Sequence, residues 1–128
     1  MTHWTDPYIG LPYVEGEGDC AALAVRVQRE VFGREIVLPT THACGVRAQT
    51  VQIAALRDDY AERLPAPVEG CGVLMQCRGR FSHIGLFAAI GGEGWVLHAM
   101  QNARMVVLHR VRDLPRHGLA LEGYYAWR

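Results

Sequence analysis

Beyond Pro67 the chain changes its hydrophobic period, and that change limits the folds open to it. Segments 73–77, 81–90, 95–100, 105–111 and 123–127 are short, rich in β-branched and aromatic residues, and separated by glycine or polar turns. Their short connections predict an antiparallel meander. Ahead of them the spacing is helical. Leu23, Val27 and Val31, with Cys20 and Ala24 beside them, form a stripe that predicts a helix over about 20–32. Asp19 stands where its N-cap belongs, and Gly33 is its C-terminal stop. A second helix is predicted over about 48–64, burying Val51, Ala55, Leu56 and Tyr60 and broken by Pro65 and Pro67. Residues 1–18 carry Pro7, Gly10, Pro12, Gly16 and Gly18, which suits an irregular arm laid over the domain. Helices first and strands afterwards indicate an α+β domain, with N-terminal helices packed on an antiparallel β-meander.

The 128 residues fit one domain, 1–128, with half of them hydrophobic and 20% charged, so a folded globular chain is expected rather than disorder. Thirteen basic and thirteen acidic residues cancel, and no block of like charge stands out. Nucleic acid and anionic membrane surfaces are therefore not expected partners. The start, "MTHWTDPYIG", lacks a basic region followed by an apolar stretch, and no run approaches a membrane span. The expectation is a soluble chain without a signal peptide. Cysteines at 20, 44, 71 and 77 are too few for a disulfide framework and form no C-x-x-C pair. His42, Cys44, Cys71 and Cys77 are zinc-ligand types, but "THAC" and "CGVLMQC" lack the usual ligand loops. No metal or other cofactor is expected. Cys71 and Cys77, six residues apart, would share one strand face as small hydrophobes.

Chemistry centres on "GEGDCAALAVRVQREVFG", where Cys20 opens the first helix. A thiol attacks a carbonyl only as its thiolate, and both a helix N-terminus and a neighbouring imidazole favour that form. The backbone N–H of Cys20 could also serve as an oxyanion donor. A buried structural thiol is the competing reading. His83 in "RFSHIGLF" and His98 in "GWVLHAM" lie on successive strands, with Gly85 on the same face as His83. A hairpin symmetric about residues 90 and 91 would set the two histidines directly opposite, with Cβ atoms roughly 5 Å apart. One could then act as base towards Cys20 while the other orients it. A loop symmetric about 92 and 93 would pair His98 with Phe87 and hold the imidazoles apart. Strand reasoning leaves both registers open. His3, His42, His109 and His117 fall in arms, turns or edge positions and are assigned no role.

Taken together, "YIGLPYVEGEGDCAALAVRVQREVFG", "FSHIGLF" and "VLHAM" resemble, in order and over nearly the whole chain, the NlpC/p-sixty family of papain-like cysteine peptidases. The closing "LEGYYAWR" and the early "WTDPYIGLPY" resemble its phage tail-associated branch, a single small catalytic domain. The resemblance implies a circularly permuted papain-like core and hydrolysis of peptidoglycan stem peptides, commonly between D-glutamate and a diamino acid. It implies Cys20 as nucleophile, His83 as general base and His98 as the orienting residue, in the facing register. Tyr13 would bind substrate or help the oxyanion, or simply pack the arm. Asp19 would cap the helix and could contact a substrate amine. Implied partners are stem peptides and other phage tail proteins. The implied location is the bacterial cytoplasm when made, then the virion tail tip. Two alternatives carry the same fold: a non-catalytic tail assembly module, and an amidase or acyltransferase using the same three residues. The family usually follows its cysteine with Ser-Gly or Trp-Gly, whereas this chain has Ala21-Ala22, and substrate choice turns there.

Overall fold

A computed structural model describes residues 3–14, 20–36, 61–77, 81–100 and 103–127. In chain order these form α1 (Cys20–Glu30), β1 (Ala61–Leu64), β2 (Gly72–Cys77), β3 (Phe81–Ile90), β4 (Glu93–Met100), β5 (Met105–Arg110), a 3-10 helix (Val111–His117) and β6 (Leu119–Trp127). All six strands join one antiparallel sheet in the order β1-β6-β2-β3-β4-β5. The expected meander is its β2–β5 stretch. The α+β class follows directly.

The apolar stripe makes α1, burying Leu23, Ala24 and Val27. Two residues of the expected helix, Val31 and Phe32, fall in the turn after it. There the Arg34 N–H donates to the Gln28 carbonyl at 2.8 Å, satisfying an acceptor left over at the helix end. Asp19 and most of the second expected helix lie outside the described residues. The last four residues assigned to that helix, Ala61–Leu64, are instead the strand β1, paired with Trp127–Tyr124 of β6. Leu64 precedes Pro65, and a residue before proline is pushed out of the α region towards extended backbone. Pairing with β6 then supplies the hydrogen bonds that a helical turn would have made. β6 itself begins at Leu119, four residues before the expected 123, because the 3-10 helix delivers the chain to the sheet there. A register shift between Leu74 and Met75 leaves an extra residue, Glu122, on the β6 side.

Alternation along the strands sorts their side chains onto two buried faces. On one, Ile84, Leu86, Leu97, Ala99 and Val106 pack with Leu23, Ala24 and Val27 of α1. On the other, Val73, Met75, Phe87 and Val96 pack with Leu114 of the 3-10 helix and with Leu119. Covering both faces explains why β3 and β4 read as nearly continuous apolar runs. Among the described residues no helix is long and apolar enough to cross a membrane.

The arm is irregular, as expected, but firmly attached. Gly10 N–H donates to the Val106 carbonyl, Val106 N–H to Leu11, and Tyr13 N–H to Arg104, at 2.8, 2.8 and 3.0 Å. Those bonds occupy the outer edge of β5, which would otherwise present unpaired donors and acceptors. Tyr8 is buried beside α1 and its hydroxyl donates to the Glu30 carboxylate at 2.8 Å.

Candidate active site

The β3–β4 hairpin decides how the two histidines meet. Its last pair is Ile90 with Glu93, so Gly91 and Gly92 alone make the turn, at φ 61° and 77°. Positive φ at both positions is one of the two-residue turn geometries that match the sheet twist, and glycine accepts it without strain. The hairpin is therefore symmetric about residues 91 and 92, and neither register drawn from the sequence is correct. Continuing the register past Leu86 and Leu97 sets His98 across from Gly85, with His83 diagonal to it. The imidazoles nonetheless share a hydrogen bond, His83 Nε2 to His98 Nδ1, at 2.9 Å. Gly85 permits it. A Cβ there would stand 2.5 Å from Val96 Cγ1 and 3.1 Å from His98 Cβ, in the space across which the diagonal pair meets. Gly85→Ala is expected to cost about 1–3 kcal/mol through overpacking, read as a lower urea midpoint. It should also displace the His83 and His98 ring signals in NMR spectra, and unchanged signals would contradict this role for Gly85.

Both rings are buried, His98 completely and His83 to 9% exposure. By strand alternation they belong to the face carrying Met75 and Val96, and Met75 is the direct cross-strand partner of His83. Burial holds His83 down to about 4. His98 is pushed to about 2, by burial first and then by the surrounding imidazoles. Burial disfavours the imidazolium, so at neutral pH both rings are neutral and able to accept a proton.

The histidine cluster is larger than the sequence suggested. His98 Nε2 lies 3.1 Å from Nδ1 of His109 on β5. His109 in turn stacks on His117 of the 3-10 helix, with ring centroids 3.7 Å apart and planes within 6°. Sequence reasoning left both without a role. His109 is two residues from Val107, the cross-strand partner of His98, so it shares the face of His98 one pair further along. Only the β4–β5 register reveals that.

Cys20 is the first residue of α1, half-buried, with a reduced thiol. It packs against the cluster on the α1 side, as does Tyr13 of the arm. Asp19 lies outside the described residues. Among the described residues, the hydrogen bonds of His83 and His98 run to one another and to His109, not to Cys20. The structure thus joins the two histidines, and it places the thiol on the α1 side of the sheet. The imidazoles belong to the opposite face, with His83 paired to Met75 of β2 and His98 to Val107 of β5. Cys71 differs in kind: it is buried beside Val73 and Met75, and burial pushes its thiol up. A groove of about 280 Å³ lies between the arm and α1, lined by Leu11, Pro12, Val14, Ala22, Leu23, Arg26 and Val106. Ala22, from the pair that departs from the resembled family, forms part of its wall.

Among the described residues no group of three or more His, Cys, Asp or Glu is arranged to hold a metal ion. Compared with protein-family models, with curated proteins and with solved structures, the chain matches none.

Proposed function

We propose that this chain is a papain-like cysteine hydrolase of the NlpC/p-sixty kind, with Cys20 as nucleophile, His83 as general base and His98 as the residue that orients His83. The observation that carries the reading is the 2.9 Å bond from His83 Nε2 to buried His98 Nδ1. It engages one ring nitrogen of His83, so in this reading Nδ1 takes the incoming proton, and burial keeps the ring neutral beforehand. The Cys20 S–H proton passes to His83 Nδ1, and the thiolate adds to the substrate carbonyl. The imidazolium then protonates the leaving amine as the C–N bond breaks, giving a thioester that water hydrolyses. The substrate proposed is a peptidoglycan stem peptide at its γ-D-glutamyl–diamino acid bond, entering along the groove between arm and α1. A phage tail protein that opens the wall locally, alongside other tail proteins, is the setting the resemblance supports.

A second reading, a non-catalytic tail assembly module, draws on the side of the sheet that Cys20 occupies and on the bonds of His83, which lead away from it. Thiol alkylation between pH 6 and 7 separates the two. An activated Cys20 labels at least about tenfold faster than Cys44, Cys71 and Cys77, because the thiolate is the reacting species. Equal, slow labelling of all four would remove the hydrolase reading. Mass spectrometry of muropeptides and of simple amides after incubation then distinguishes a wall peptidase from an amidase or acyltransferase.

A further inference from the structure

Three imidazoles stand in one hydrogen-bonded row, His83 Nε2 to His98 Nδ1 at 2.9 Å and His98 Nε2 to His109 Nδ1 at 3.1 Å. We propose that this row is a proton wire and that His109 is its outer terminus, the residue on which the positive charge rests when the thiol is ionised. The proposal rests on the assignment of Cys20 and His83 as nucleophile and base.

The two bonds fit two sets of tautomers, running in opposite directions, and base function at His83 selects one. For His83 Nδ1 to accept a proton, its Nε2–H must donate to His98 Nδ1. His98 Nε2–H then donates to His109 Nδ1, and His109 keeps its hydrogen on Nε2. When Cys20 gives its proton to His83 Nδ1, the Nε2 proton of His83 can move to His98 Nδ1. The Nε2 proton of His98 moves in turn to His109 Nδ1. One proton has left sulfur, His83 and His98 are neutral in their other tautomers, and His109 is an imidazolium. The same shifts in reverse return the proton for the leaving amine. No other reactant enters.

Placement of the charge gives the wire its purpose. An imidazolium at His83 or His98 would be buried, which is expensive without a counter-charge. His109 is only half-buried and stacks on exposed His117. The groups facing it are His98 from β4, and His117 and Asp113 from the 3-10 helix; burial first and then His117 push its ionisation down, and Asp113 alone favours its charge. Arg110, its neighbour in sequence, points to the other side of the strand, where it lies over Trp95 and pairs with Glu93. Arg112 is taken up by the same Glu93 at 2.9 Å. His109 is thus a positioning residue with a further task, and it touches no substrate.

His109→Asn separates the two roles. Its Oδ1 can accept the His98 Nε2–H as the imidazole Nδ1 does, but it cannot carry a proton. The measurement is the rate of Cys20 alkylation by iodoacetamide from pH 5 to 9, in the full chain. With a wire, His109→Asn raises the apparent thiol pKa by about one unit, so labelling at pH 6.5 slows about tenfold. Asp113→Asn gives a smaller shift in the same direction. A His109→Asn profile superimposable on wild type, with only His109→Ala impaired, would reduce His109 to a positioning group and overturn the wire. If His109→Asn does not fold, Asp113→Asn decides, and an unshifted profile there also overturns it. Slow labelling of Cys20 in the wild type itself is a different result: it defeats the hydrolase assignment first, and the wire with it.

Discussion

Cys20→Ala should reduce cleavage of purified muropeptides to background, a loss of at least about 10⁴-fold in kcat/KM. Removing the nucleophile of a covalent mechanism leaves only what binding and oxyanion contacts contribute. The fold should survive the change. Cys20 is half-buried at a helix start, so truncation removes one sulfur from the margin of the α1 cluster and costs about 1 kcal/mol or less. Cys71→Ala is the matching control. Its thiol is buried and pushed up by burial, so its loss should lower stability by about 1–2 kcal/mol while leaving cleavage intact. Identical fragment spectra from wild type and Cys20→Ala would defeat the assignment, whatever Cys71→Ala does.

The elements that a local pattern specifies were legible. The α1 stripe follows from a period of 3.6 and the 81–90 strand from a short apolar run closed by a glycine turn, and β3 has the expected bounds. Features set by distant partners were not. β1 is a four-residue strand whose partner lies more than fifty residues away in β6, and its own residues carry no strand period. The hairpin register is an intermediate case. "IGGE" contains the glycine pair that a two-residue turn with positive φ at both positions demands, so turn chemistry could have placed the axis between Gly91 and Gly92. The bond between His83 and His98 would still have stayed hidden, since a diagonal pair reads as separated until the missing side chain at Gly85 is weighed. His109 and His117 are further removed, because His109 reaches the row through the β4–β5 register and His117 through the 3-10 helix that follows β5. A histidine cluster assembled from four elements has no signature in any one of them.

Acid should destabilise this fold earlier than carboxylate titration alone would, and the largest effect should fall between pH 6.5 and 4. His83 ionises near 6.5 when unfolded and near 4 when folded, because burial excludes its charged form. Between those values the unfolded chain binds more protons, so stability rises with pH across that window. The contribution is fully present above 6.5 and is lost as the pH falls towards 4, by about 3 kcal/mol for His83 alone. His98 shifts in the same direction for the same reason, and extends the loss to lower pH. Against a typical stability of about 5–15 kcal/mol, that loss is large. Urea unfolding at pH 7 and pH 4.5 should show a clear drop in midpoint with an unchanged slope. A His83→Phe, His98→Leu double variant should flatten the dependence, whatever its own stability. A wild-type midpoint that is level across the window would mean the imidazoles are solvated, and a solvated His83 would not be held neutral by burial. Acid sensitivity and the neutral ring that the proposed base role of His83 requires therefore share one cause, the exclusion of water from the His83–His98 pair.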